Sequence, residues 1–392
     1  MRCKLGDISE ITKLAGYEFT KYIKYIPDGE IIAVRALNLK NGALVLDDIQ
    51  RISKEVSETL PRSQLHKNDI VLSYTGTLGE CAQIREDGKY HLAPNVCKIT
   101  PNDSVVNPNF LFQYIRCEKF KQTLINYAHG STQPTIPMST IRDIPVDIPD
   151  DLEKQGKIAA ILSILDEKIA INRAINDNLE QQAQAVFRQE LLQNGELPPN
   201  WTTGSLLDIA DYLNGLAMQK FRPVDGERGL SVLKIKELRQ GFCDYSSELC
   251  SPNIKPEFIV HDGDVIFSWS GSLLVDLWCG GTCGLNQHLF KVTSVKYPKW
   301  FYYTWTAHHL ARFVAIAADK ATTMGHIKRE DLAKAEVIIP DVASMERIGG
   351  VLQPIYNLVI NQRIENRKLS MLRDSLLPKL MSGELDVSAV EL

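Results

Sequence analysis

Residues 261–272 read HDGDVIFSWSGS, and residues 66–77 read HKNDIVLSYTGT. They match position by position: His66 with His261, Asp69 with Asp264, Ser73 with Ser268, Gly76 with Gly271. Each passage has a polar turn, a short apolar run of β type and a turn of small residues, the pattern of a strand between two turns. The passages lie 195 residues apart, and further matches follow in order. Residues 92–99 (LAPNVCKI) match 285–292 (LNQHLFKV), and 131–150 (STQPTIPMSTIRDIPVDIPD) match 322–341 (TTMGHIKREDLAKAEVIIPD). Residues 169–180 (IAINRAINDNLE) match 358–369 (LVINQRIENRKL), and QNGEL at 193–197 matches MSGEL at 381–385. The offset drifts down to 188, as small insertions make it. The chain is a duplicated unit. Two copies make a pseudo-twofold protein, whereas a solenoid needs three or more.

Each unit divides in two. Its first part has short β-type runs broken by turn signals (PDGE, LKNGA, REDGK, HDGD), with helical pieces such as residues 108–121 and 298–313. That mixture predicts an α+β domain with a mostly antiparallel sheet. Its second part reads as one long helix, capped at the start by Asp150 or Asp151 and followed by Gly195 or Gly383. Heptad spacing places Ile158, Leu162, Leu165, Ile169, Asn172, Asn176, Leu179, Ala183 and Val186 on one seam of the first helix. The second seam is Ile348, Leu352, Ile355, Val359, Gln362, Asn366, Leu369, Leu376 and Leu380. Two such stripes predict an antiparallel coiled coil, with Asn172 and Gln362 setting register at a cost in stability. The alternative is two helices that each pack only on their own globule. The expected architecture is α+β, with globular domains at 1–150 and 198–341. Spacer helices at 151–197 and 342–385 and a tail at 386–392 complete it. It amounts to two heads held apart by a rigid rod.

Net charge is −4, from 44 basic and 48 acidic residues, so bulk charge does not drive nucleic-acid binding. No apolar run reaches the length of a membrane span, and the start MRCKLGDISE has no apolar signal segment, so a cytoplasmic protein is expected. Eight scattered cysteines fit reduced thiols.

The search for catalytic motifs yields little. Pro149-Asp150 with Asp166-Glu167-Lys168 superficially matches a metal-dependent nuclease pattern, but the second group falls within the predicted helix. Cys279 and Cys283 have no second pair at zinc spacing, and Cys243 and Cys250 are too irregular to supply one. The glycines after Thr75 lack the Gly-Lys-Ser/Thr of a nucleotide loop. Pro198-Pro199 lacks the flanking residues with which amino-methyltransferases grip an exocyclic amine, and His308-His309 has no evident third ligand. No catalytic, cofactor-binding or metal residue is assigned.

The repeated polar turns are the candidate contacts. Ser73, Tyr74, Thr75, Gly76 and Thr77 match Ser268, Trp269, Ser270, Gly271 and Ser272. Small hydroxyl residues and glycine let backbone N–H groups approach phosphates, and an aromatic ring can pack on sugar or base. A second matched pair of loops holds Ser131, Thr132 and Gln133 in one unit and Lys320, Thr322 and Thr323 in the other.

Taken together, these features resemble the DNA specificity subunits of Type I restriction–modification systems. The resemblance runs over essentially the whole chain. It is strongest in the two loop-to-helix passages (residues 130–169 and 322–360), in NGELPPNW at 194–201 and in LRDSLLPKLMSGEL at 372–385. It implies a non-catalytic subunit with two target recognition domains, each reading half of a split, asymmetric double-stranded DNA target. The helices would set the gap between the half-sites and help hold two modification subunits. Those partners would carry S-adenosylmethionine and methylate adenine at N6; restriction subunits with ATP and Mg would join them. This chain itself would need no cofactor. Two other functions stay open from the residues alone: an adaptor without DNA readout, and a self-contained nuclease or methyltransferase.

Overall fold

The computed structural model describes all residues except 131–132, 193–195, 320–324 and 388–392, and only the backbone of 319. The chain is a mixed α and β protein that divides into two compact units. One holds residues 1–167 and 370–392, the other residues 168–369.

The first unit carries the first head. One four-stranded sheet has the order Gln50–Ile52, Ile31–Val34, Tyr90–Leu92, Gln64–Leu65. A second has the order Ser9–Lys13, Val96–Pro101, Ile70–Ser73, Cys81–Gln83. Arg2–Lys4 pairs with Pro145–Asp147 and ties the two ends of the head together. The second head, in the second unit, repeats this order strand for strand. Its sheets run Leu249–Cys250, Leu230–Leu233, Cys283–Leu285, Ile259–Val260, and Asp211–Asn214, Leu289–Thr293, Val265–Ser268, Leu274–Leu277. Thr202–Ser205 pairs with Glu336–Ile339 to close it. Pairing is antiparallel except for one parallel pair in each head, Ile31–Val34 with Tyr90–Leu92 and Leu230–Leu233 with Cys283–Leu285.

The repeated His-x-x-Asp is a piece of this scaffold. The Asp69 carboxylate accepts from the His66 backbone N–H at 2.7 Å, and Asp264 accepts from His261 at 2.8 Å. Between them Asn68 (φ 74°) and Gly263 (φ 85°) share one left-handed position, a conformation that glycine and asparagine tolerate best. Lys98 and Lys291, on the adjoining strands, each donate to a neighbouring strand carbonyl at 2.9 Å and lie beside the same aspartates.

Two continuous helices, Leu152–Leu191 and Val342–Ser382, run through the chain. At 1.5 Å per residue each is about 60 Å long. Asp151 caps the first, accepting from the Glu153 N–H at 2.8 Å, and Asp341 caps the second, accepting from Ser344 at 2.8 Å. Gly383 (φ 78°) follows the second helix, and Gly195 lies outside the described residues. In the first unit Ile158 and Leu162 share a core with Leu377 and Leu380. In the second, Asn172 meets Asn366, Glu180 meets Arg363 and Glu190 meets Arg347. Numbers rise on one helix as they fall on the other, so within each unit the helix segments run antiparallel.

Ile158, Leu162, Ile169, Asn172, Ile348, Leu352 and Val359 are buried, as the heptad reading expects. Leu165, Leu179, Ile355, Gln362 and Leu369 are only partly covered. Phe187, Leu191, Tyr356 and Leu377 are buried where the strict repeat points to Val186 or Leu376. A straight helix has 3.6 residues per turn, so its covered face drifts away from a 3.5-residue stripe. In those turns the helices complete the head cores: Phe187 packs edge-on against Trp305, with ring centroids 5.0 Å apart. Helix-on-helix and helix-on-head packing therefore both occur, and since Phe187 of the first helix packs on the second head, the helices do not pack only on their own globules. For the same reason the compact units divide within the long helices, and not at the helix starts that the sequence suggests.

Candidate nucleic-acid interface

In each head the first predicted loop meets a segment just past the second in sequence, residues 134–136 in one and 325–327 in the other. In the first, Thr75 bridges Thr135, whose backbone also pairs with His129. The Gly76 N–H donates to the Pro134 carbonyl at 2.9 Å, and the Ile136 N–H donates to the Tyr74 carbonyl at 3.0 Å. In the second head, Ser270 bridges His326. The Gly271 N–H donates to the Gly325 carbonyl at 3.2 Å, and the Ile327 N–H donates to the Trp269 carbonyl at 2.9 Å. The Gly76 and Ile136 bonds of the first head correspond to the Gly271 and Ile327 bonds of the second. Gly76 (φ 79°) and Gly271 (φ 64°) both need the left-handed conformation to turn the chain back.

This geometry sorts the candidates. Ser73 and Ser268 are fully buried, with their hydroxyls donating to the carbonyls of Thr77 and Ser272. They brace the turn and cannot touch a ligand, which corrects their assignment as contacts. Thr77, Gly271, Ser272 and Gln133 are exposed, and Tyr74, Thr75, Gly76 and Trp269 are half-buried. Ser270 is largely covered, its hydroxyl 3.0 Å from His288 Nδ1. Ser131, Thr132, Lys320, Thr322 and Thr323 lie outside the described residues.

The aromatic residues differ. Tyr74 lies under the Lys13 ammonium, 5.3 Å from the ring centroid, and burial raises its pKa. Trp269 donates its indole N–H to Asn214 Oδ1 at 3.0 Å and sits among the rings of His288, Phe290 and His326. Lys13, Thr135, Asn214, His288 and His326 escaped the sequence reading. Thr135, His288 and His326 had one signal, membership of matched passages in which side chains change while neighbours stay; Lys13 and Asn214 lie outside those passages and had none.

The other motifs resolve as structure. Asp166 accepts from Gln113 and Arg116 and pairs with Arg373 at 3.0 Å, while Asp150 pairs with the chain's amino terminus at 2.6 Å. Burial pushes the Cys279 thiol up to about 12, a poor metal ligand. Burial likewise lowers the pKa of His308 and His309, and His309 Nε2 lies 2.9 Å from the Glu336 carbonyl. Among the described residues no cluster of three or more His, Cys, Asp or Glu could hold a metal, and no helix is long and apolar enough to cross a membrane.

Residues 1–181 match the family model for the Type I restriction modification DNA specificity domain. The Type I restriction enzyme MjaIX specificity subunit of Methanocaldococcus jannaschii is 26% identical, across 74% of this chain and 71% of its own length. The EcoKI specificity subunit of Escherichia coli K12 is 23% identical, across 97% of this chain and 89% of its own. Among solved structures, the Type I restriction-modification S subunit from M. genitalium superposes with a TM-score of 0.54 at 13% identity. That alignment covers 97% of this chain and 96% of the other, a likeness of fold alone.

Proposed function

We propose that the chain, similar to Type I restriction–modification specificity subunits, selects the DNA sequence for such a complex, one half-site per head. The observation that carries this reading is the doubled loop-on-loop turn, built on the same backbone hydrogen bonds in both heads but presenting different side chains. One scaffold with two surfaces suits a split, asymmetric target. Two modest interfaces on one chain also discriminate better together than apart. Phosphate contacts would come from backbone N–H groups and small hydroxyls at the turns, and specificity from side chains beside them. In this proposal the duplex is gripped jointly with two modification subunits, which explains how a chain of net charge −4 can serve. S-adenosylmethionine would belong to those partners, and ATP and Mg to restriction subunits. The resemblance assigns the interval between half-sites to the long helices.

The test is co-expression with the cognate modification subunits in a host lacking adenine methylation, followed by sequencing of modified adenines. A single motif of two short half-sites with a constant gap is expected. Exchanging residues 1–150 for another head should change one half-site only. A formed complex that leaves no split motif methylated rejects the proposal and favours an adaptor.

A further inference from the structure

We infer that Gln287 reads a base edge in the second half-site, with His288 as its positioning residue. The inference rests on the proposal that the second head meets DNA. Gln219, Lys234, Lys236, Gln287 and His288 line a cleft of about 410 Å³ in that head, beside the Ser270 turn. The cleft sets two lysines and polar amides beside the apolar Ile235, groups of the kind that receive a phosphate backbone and base edges. Lys236 is exposed; it pairs with the half-buried Asp244 at 3.2 Å and the exposed Ser246 Oγ at 2.7 Å, so its ammonium also faces solvent.

Hydrogen bonds orient the reader. The Gln287 amide donates from Nε2 to His288 Nε2 at 3.3 Å. That places the ring proton on Nδ1, which then donates to Ser270 Oγ at 3.0 Å. The imidazole thus ties Gln287 to the turn that the two heads share. The Gln287 N–H is held by the Leu216 carbonyl at 2.8 Å, so the backbone is fixed as well. The amide keeps its Oε1 and one N–H without a protein partner among the described residues. A donor beside an acceptor matches the major-groove edge of adenine.

The first head supplies the contrast. Its matching turn, between Tyr90–Leu92 and Val96–Pro101, reads Ala93-Pro94-Asn95 where the second head has Asn286-Gln287-His288. Pro94 has no polar side chain. The position of Lys236 is held by Leu37, which is 54% exposed and can pair with no phosphate. The two half-sites should therefore differ in what this turn reads.

The test uses the full chain assembled with its modification subunits, with genomic adenine methylation as the readout. Gln287→Ala should leave the first half-site intact and make one A·T position of the second degenerate. Discrimination there should fall about 5- to 150-fold, the worth of one bidentate base contact. His288→Ala should relax the same position, whereas a loss uniform over all sites would mean that His288 only supports the fold. The inference is overturned if Gln287→Ala keeps every position, or if the position lost is a G·C pair or lies in the first half-site. A wild-type complex with no split motif rejects the function and this inference with it; a normal wild-type motif unchanged by Gln287→Ala rejects the inference alone.

Discussion

The two heads share a backbone and not a means of attachment. In the first unit the head supplies the cation. Arg116 reaches Asp166 on the long helix, which also holds Arg373. Burial and the neighbouring Arg373 lower the pKa of Arg116. In the second unit the head supplies the anions. Asp276 and Asp262 each take a helix arginine at 2.7 Å, Arg363 and Arg367. Burial opposes the Arg363 charge, but Asp276 and Glu180 outweigh it and raise its pKa. Duplication therefore preserved what the hydrogen-bond ladder demands and left the side-chain charges free to reverse. A turn closed by backbone N–H and carbonyl groups is blind to most side chains. A buried ion pair only has to be matched, in either polarity.

The largest expected effect tests that reversal. Asp166→Ala strands the largely buried Arg116 and leaves Arg373 only Asp374, at 2.7 Å, and breaking such a pair costs about 3–5 kcal/mol. Asp276→Ala leaves Arg363 its second partner, Glu180, at 2.7 Å and should cost less. All five tryptophans lie between 201 and 305, so their fluorescence follows the second unit. Denaturant unfolding of the full chain should show a lower helical-CD midpoint for Asp166→Ala and a lower fluorescence midpoint for Asp276→Ala. Equal losses would show that the two attachments are equivalent.

A smaller effect tests the shared turn. Among the described residues Gly76→Ala meets no atom within 4 Å, and Gly271→Ala meets only Ile235 Cδ1 at 3.6 Å. The left-handed backbone alone should cost about 1–2 kcal/mol in each. The matched pair of variants should agree by the same denaturation assay. A gap above about 1 kcal/mol would break the equivalence of the heads.

The smallest effect concerns acid. Burial works to raise the Asp244 carboxyl, but hydrogen bonds from Ser246, Lys236 and Gln240 prevail and hold it at about 2. An unfolded aspartate titrates near ~3.9. Between those values the unfolded chain binds more protons, so this contribution is complete above about pH 4 and is lost as pH falls toward 2. Asp244→Asn should flatten the acid limb of the fluorescence-monitored second unit. An unchanged limb would mean that the carboxylate does not support this head.

Much of this was legible in one dimension. Asp69 and Asp264, Gly76 and Gly271, and the seam from Ile158 to Asn172 announce themselves because turns and helix faces are set by neighbours a few residues away. Phe187 and Leu191 did not fit the repeat, since the head core covers those turns together with the other helix. Asn214, His288 and His326 reach Trp269 from three separate segments, and no local spacing records that meeting. Nor does the buried polar layer show its cost in sequence: Asn172 finds Asn366 and Glu365, while the Asn176 side-chain oxygen is buried without a partner among the described residues.

The amino-acid sequence by itself determined that the chain is doubled, that each copy is a head followed by a long helix, and which family it resembles. Those properties follow from local periodicity and from ordered matches between the halves. Tertiary structure alone decided which matched residues brace a turn and which stay exposed, and with what polarity each head grips its helix. Side-chain hydrogen bonds and ion pairs depend on distances of about 3 Å between residues far apart in the chain, and only the folded backbone specifies those distances.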